Sequence, residues 1–278
     1  MKKVICPIDF SDLSLAALHY AVEITDLLGG HLVIVHSIHL PSLEGRVPMS
    51  EVMLEKTKKE AENKLIEITE HTTTKFKRRG SFASVEYQLF EGLLVDVLVR
   101  INKNENPDMF VMGTLGASGL GDYLLGSNTS RVVKKVDCPV LLVPFDNTYN
   151  RINKIVFGTA LSEDEIPALE YLIGYAEKTN AAIKVVHVGN PNSKIVANRF
   201  EEHKQMINKK LKNNQLVFDL EYHKDEFEGL NKYLKRNKAD VLAIHNRRRN
   251  FVSKLFDDSV TDDLVFHSDL PVLCINLR

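Results

Sequence analysis

Met109-Phe-Val-Met-Gly113-Thr-Leu-Gly116, then nine residues, then Gly126-Ser127, is the stretch on which the reading of this chain turns. Met109 to Met112 is a short apolar run with the character of a buried strand. Further on, Leu125, Val132, Val133 and Val136 follow helical spacing. Strand, glycine-bearing loop and helix therefore succeed one another. Glycine in such a loop lets backbone N–H groups approach a phosphate, because no Cβ intervenes. The helix start adds unpaired donors and a partial positive charge. The chemistry this implies is nucleotide phosphate binding, with an ordinary glycine-rich loop after a strand as the plainer alternative. Spacing rejects two common classes. A Walker A loop needs Gly-Lys-Ser/Thr, and no Gly-Lys pair occurs. For G-x-G-x-x-G, Gly119 and Gly121 fill two positions but Leu124 stands at the third.

Working outward, the same order of segments occurs twice. Lys3-Val-Ile-Cys-Pro-Ile-Asp9 has a counterpart in Lys154-Ile-Val-Phe-Gly-Thr-Ala160. Pro107-Asp-Met-Phe-Val-Met112 matches Ala239-Asp-Val-Leu-Ala-Ile244 at an offset of 132 residues. Cys138-Pro-Val-Leu-Leu-Val143 matches Leu270-Pro-Val-Leu-Cys-Ile275 at the same offset. A period near half the chain means duplicated domains, 1–146 and 151–278, rather than a solenoid. In each half, apolar strand runs alternate with helical patterns. In the first, Ser11 caps a stripe from Leu13 to Leu28, Gly29-Gly30 ends it, and a long charged helix follows near Ser50 to His71. In the second, Ser162-Glu-Asp-Glu165 reads as a capping box. Such alternation implies an α/β fold with a parallel sheet covered on both faces. Ligands of these sheets sit at the carboxyl ends of strands, at a switch point of topology. That places Asp9 near the loop after Met112.

Composition narrows the function classes. The chain has 278 residues, 44% hydrophobic, with a formal net charge of −1, so overall charge points to no nucleic acid or membrane partner. No run has transmembrane length, and Met1-Lys-Lys-Val-Ile begins a strand rather than a signal peptide. Cys6, Cys138 and Cys274 lie far apart on apolar runs, without zinc spacing, and are expected as buried inert thiols in a reducing cytoplasm. No metal site is expected, and His36 and His187 read as structural.

The pattern G-x-x-G, nine residues, G-[ST], followed by Cys138-Pro-Val-Leu-Leu-Val-Pro144, resembles ATP-binding universal stress proteins, and both halves look like domains of that family in tandem. The resemblance implies two Rossmann-like domains of the adenine nucleotide α-hydrolase-like type, each with five parallel strands. It implies ATP or ADP as ligand, with Mg in solution. It carries Pro7 and Asp9 to the adenosine side, Val35 to the wall of the adenine pocket, and Met112, Gly113, Gly116, Gly126, Ser127 and Asn128 to the ribose and phosphates. Independently, a carboxylate at Asp9 suits a ribose or base, and Gly126 and Ser127 can offer backbone N–H groups. Asp9 also reads as a turn or capping carboxylate before Ser11. The resemblance further implies that the halves pair through their last strands, as single-domain members form homodimers.

The second half departs from the motif. His245, Arg248 and Asp258 replace Gly113, Gly116 and Gly126, and Ala160 replaces Asp9. Asp257 and Asp258 favour a helix start but repel a phosphate, and Ser259 alone is an ordinary helix-start residue. This half is expected not to bind ATP. Arg247-Arg248-Arg249 reads as an anion patch, as a solvated loop, or as partners for Asp257 and Asp258; the latter two are simpler. Lys75-Phe-Lys-Arg-Arg79 reads as a solvated helix end. No G-x-S-x-G elbow or positioned nucleophile–base pair appears, and no catalytic residue is assigned. The expected function is a stress-response sensor or adaptor that binds adenine nucleotide. The alternatives are a slow ATPase or self-phosphorylating enzyme, with Ser127 or Thr129 as acceptor, and an interaction scaffold with a vestigial site.

Overall fold

Val4, Ile5 and Cys6 are each buried to within 1% of completeness although neighbouring strand residues point to opposite faces. The strand they form is therefore covered on both sides, as a parallel-sheet strand must be. The computed structural model of the chain describes residues 2–39, 51–114, 127–144, 149, 151–212, 215–245 and 270–277. Gly116, Gly126, Arg247 to Arg249, Asp257, Asp258 and Ser259 lie outside the described residues. The described chain divides into two compact units, the first ending at Cys138 and the second starting at Pro139.

In the first unit the elements are β1 (Lys3–Pro7), α1 (Asp12–Leu28), β2 (His31–Ile38), α2 (Glu51–Arg78), β3 (Ser84–Glu91), α3 (Leu94–Glu105), β4 (Met109–Gly113) and α4 (Ser127–Lys135). The strands run parallel in the order β3-β2-β1-β4, so the connection changes direction between β1 and β4. The second unit has β5 (Val140–Val143), β6 (Lys154–Gly158), a 3-10 turn (Glu163–Glu165), α5 (Ile166–Thr179), β7 (Ala182–Gly189), α6 (Val196–Leu211), β8 (Val217–Tyr222), α7 (Glu226–Asn237), β9 (Val241–His245) and β10 (Val272–Ile275). Its strand order is β5-β10-β9-β6-β7-β8. All its ladders are parallel except one: β10 runs antiparallel to β5, with Leu273 opposite Leu141. Through that pairing β5 groups with the second unit, although by the repeat it closes the first half.

The duplication reaches individual hydrogen bonds. Asp108 accepts from Lys3 N (2.8 Å) and Lys2 Nζ (2.7 Å), joining the starts of β1 and β4. Asp240 does the same for β6 and β9, accepting from Asn153 N and Lys154 N at 2.8 Å. Helix α1 ends at Gly29 in the left-handed region (φ 58°), and α5 ends likewise at Asn180 (φ 58°). Cores in both units are aliphatic and aromatic, led by Phe110, Leu98 and Leu65 in the first and Phe157, Leu172 and Ile207 in the second. Each such side chain contributes about 1.5–3 kcal/mol relative to exposure.

Two sequence expectations need correction. Lys75 and Arg79 are not simply solvated: Lys75 Nζ meets Glu23 at 2.7 Å, while Arg79 meets Glu23 at 2.9 Å and Asp26 at 2.7 Å. Helix α2 runs on to Arg78, which brings these cations beside the carboxylates of α1. Ser162 makes no side-chain capping bond, because Glu165 is buried and turns toward Ala160 and Thr159 instead.

Candidate functional site

The chain leaves β1 through a tight turn. Ile8 N donates to Val35 O (2.8 Å), and Phe10 adopts φ 62°. Asp9 Oδ1 accepts from Ser11 N at 3.1 Å and from the Ser11 hydroxyl. Ser11 then caps α1, its oxygen accepting from Ser14 N. The Asp9 carboxylate is exposed, yet it is already bound into the turn that starts α1. Its capping role is thus present whether or not it also meets a ligand.

At the neighbouring strand end, Gly113 closes β4, and the first turn of α4 returns to it: Thr129 Oγ1 donates to Gly113 O at 3.1 Å. Ser127 and Asn128, in that first turn, are exposed. Backbone N–H groups in a first helical turn have no intrahelical acceptor. Because β1 and β4 are adjacent and parallel, the Asp9 turn and the Gly113–α4 junction lie at the same end of the sheet, at its switch point. Pro7, Val35 and Met112 are buried beneath; Pro7 and Val35 are register partners, and Val35 exposes nothing. The structure thus brings together Asp9, Gly113, Ser127 and Asn128 at one strand-end region, with Pro7, Val35 and Met112 buried beneath. Gly116 and Gly126, on which the motif also rests, are outside the described residues.

Gly113 has a second reason to be glycine. A Cβ there would stand 2.7 Å from Leu13 Cγ and 3.3 Å from Leu13 O. Bare backbone at this point lets α1 lie close on β4.

Phe10 escaped the sequence reading. Its ring centroid lies 4.5 Å from that of His36, and Lys64 Nζ sits 5.1 Å from the Phe10 centroid. His36 Nδ1 donates to Ile8 O at 2.7 Å, which anchors the imidazole to the turn. No local signal marks Phe10, since a left-handed conformation of a phenylalanine follows from its surroundings rather than its propensity. A hollow of about 680 Å³ between α1 and α2 shares Phe10 with this region but otherwise lies away from the β4–α4 junction.

The second unit repeats the turn with different side chains. His187 Nδ1 donates to Thr159 O (2.9 Å), and Leu161 adopts φ 58°. Glu165 occupies the repeat position of Ser14. In the first unit Ser14 Oγ accepts from Asp9 N at 3.3 Å; in the second, Glu165 Oε1 accepts from Ala160 N at 2.7 Å. Glu165 Oε2 also accepts from Thr159 Oγ1 at 2.5 Å and lies 3.4 Å from His203 Nε2. Thr159, Glu165 and His203 are all buried. A carboxylate, an imidazole and a hydroxyl therefore satisfy one another where the first unit has only Ser14. The sequence reading took Glu165 for a capping residue; its alignment with Ser14 in the repeat was the available signal. His245 follows the same trend, placing an imidazole where Gly113 has no side chain, with Nε2 3.3 Å from Leu277 O.

Burial pushes the Cys138 and Cys274 thiols up to about 12 and Cys6 higher still. Among the described residues, no group of three or more His, Cys, Asp or Glu side chains is placed to hold a metal ion. Among them too, no helix is long and apolar enough to cross a membrane.

Known proteins agree with this architecture. Residues 1–144 and 151–276 each match the universal stress protein family. The chain is similar to universal stress protein MJ0531 of Methanocaldococcus jannaschii, 30% identical over 148 residues, covering 51% of this chain and 81% of that protein. It is also similar to MJ0577 of the same organism, 29% identical over 157 residues, covering 53% of this chain and 97% of that protein. A crystal structure of a universal stress protein from Archaeoglobus fulgidus superposes with a TM-score of 0.72 at 19% identity, covering 99% of this chain and 96% of that one, which establishes the shared fold. With both halves matched and the fold shared across nearly its whole length, the chain belongs to the universal stress protein family.

Proposed function

We propose that the chain binds one adenine nucleotide, ATP or ADP, through domain 1–146, and that domain 151–278 binds none. The observation that carries this is the meeting of the Asp9 turn with the Gly113–α4 junction, where Ser127 and Asn128 present first-turn N–H groups beside a strand end without a side chain. In this reading Pro7, Asp9 and Val35 serve the adenosine side, and Met112, Gly113, Gly116, Gly126, Ser127 and Asn128 serve the ribose and phosphates. The second domain is closed to a nucleotide by its own side chains: His245 at the Gly113 position, and the Thr159–Glu165–His203 cluster at the turn. Membership of the family supports a stress-response sensor or adaptor over an enzyme. Hydrolysis is slow or absent, because no lysine or arginine lies between Gly113 and Ser130 to stabilise charge on a transferring phosphoryl group. Thr129 is buried and spends its hydroxyl on Gly113 O, which leaves exposed Ser127 as the stronger candidate acceptor if the protein phosphorylates itself. The last strands β5 and β10 serve as the pairing element of the duplicated domains, a role supported by their antiparallel ladder.

Mass spectrometry of ligand released from purified protein, followed by calorimetry with ATP and ADP, tests this. One site per chain is expected; two comparable sites, or none, would sink the proposal.

A further inference from the structure

Helices α1 and α2 lie over the same sheet but leave a trough between them of about 680 Å³. That volume is within the range of small-molecule sites, which run from about 300 to 1,000 Å³. The floor is apolar: Leu18 and Val22 are buried beneath it, Leu15 is 38% exposed along it, and Ile68 completes the α2 side. Leu15 to Val22 spans about 10 Å of helix, given a rise of 1.5 Å per residue. Phe10 also lines the trough.

The rim carries two lysines, Lys64 and Lys75, against one carboxylate, Glu67, with His19 and His71 beside them; His19 Nε2 lies 3.6 Å from Glu23. Lys75 is engaged with Glu23. Lys64 is different: among the described residues it enters no ion pair, although Glu67 is three residues away on the same helix. Its ammonium stands over the Phe10 ring instead, 5.1 Å from the centroid. A cation beside an apolar channel, with a ring rather than a carboxylate as its neighbour, is complementary to an anion that carries an apolar tail.

We infer that the α1–α2 trough is a binding site for an amphipathic carboxylate with a medium-length acyl chain, its head held by Lys64 and its tail laid along Leu15, Leu18, Val22 and Ile68. The aliphatic floor selects an acyl chain over a flat aromatic body, and its length sets the tail at roughly that of a ten-carbon acid. The site is separate from the proposed nucleotide contacts. It touches them only through Phe10, which is adjacent to Asp9 in sequence and packs on His36.

Calorimetry of the full chain with decanoate, decanol and decyltrimethylammonium provides the test. Decanoate is expected to bind saturably, one per chain, at least about tenfold tighter than decanol, the scale of one charge-assisted contact. Lys64→Gln should remove that preference and leave decanol binding unchanged. Leu15→Glu, a change at an exposed position, should weaken both. The inference is overturned if decanoate shows no saturable binding. It is equally overturned if decanol or the ammonium compound binds as tightly, or if Lys64→Gln leaves the preference intact. Nucleotide binding is not the readout, so this result stands apart from that of the ATP titration.

Discussion

Gly113 meets a packing demand, since α1 comes close above it, and in the proposed nucleotide site it also leaves the strand end beside the α4 N-terminus without a side chain. Gly113→Ala should therefore lower stability by roughly 1–3 kcal/mol, as overpacking does. Urea unfolding measures that cost, and an unchanged midpoint would contradict the Leu13 contact. Any loss of nucleotide affinity in this variant has to be read after that correction. The second unit makes the opposite choice with Glu165 and His203. His203→Ala removes one buried partner of Glu165, which keeps the Thr159 hydroxyl and Ala160 N, and a loss of about 1–2 kcal/mol is expected. Adding Glu165→Ser, which restores the residue type of the first unit at this position, should cost less than the two single changes combined. A double-mutant cycle by denaturant melts checks this; strict additivity would show that the cluster is not coupled. The place of Asp9 before Ser11 reads in the sequence as both cap and ligand, and the structure shows the cap contacts.

At the scale of elements, most of the design was legible. The α1 stripe, its Ser11 cap and its Gly29 stop follow from local rules and occur as expected. The end of α2 did not follow, because what extends it to Arg78 is an interaction with another helix. Lys75 and Arg79 clamp Glu23, and Arg79 also binds Asp26, bracing α2 against α1. Burial pushes the Glu23 carboxyl up, but the hydrogen bonds and charges of Arg79 and Lys75 outweigh it and hold the group below its ordinary 4.5. A depressed carboxyl stabilises the fold fully above the unfolded value and loses that contribution as pH falls through the folded one. Glu23→Gln should thus cost about 1 kcal/mol near pH 7 and much less near pH 3. Urea melts at both pH values test it; an equal loss at each would rule out the ionic origin of the brace.

For the whole molecule, β5 is the element that ties sequence halves to compact units. It belongs to the first repeat by sequence, yet it pairs with β10 within the second unit. A fragment of residues 1–146 leaves β5 without that partner, and an unpaired apolar edge invites association. The fragment is expected to self-associate or to unfold readily. Sedimentation and thermal melts are the measurement, and a stable monomer with full nucleotide affinity would remove the pairing role. The buried thiols give a second check on the whole fold. With Cys138 and Cys274 pushed up to about 12 and Cys6 beyond, native protein at pH 8 should react with a thiol reagent only as fast as it opens, and all three cysteines should react in denaturant.

The sequence by itself determined the strand–helix alternation, the duplication and the family. Those depend on periodicity, on turn residues and on a motif, all of which are local patterns repeated at a fixed offset. It also marked which half lost its glycines. Only the tertiary structure decided what fills that loss, because the Thr159–Glu165–His203 cluster joins a strand end, a 3-10 turn and a helix far apart in the chain. The Phe10–His36–Lys64 stack and the α1–α2 trough have the same origin. Contacts between side chains distant in sequence carry no periodic signal, so they become visible only once the sheet has fixed which elements are neighbours.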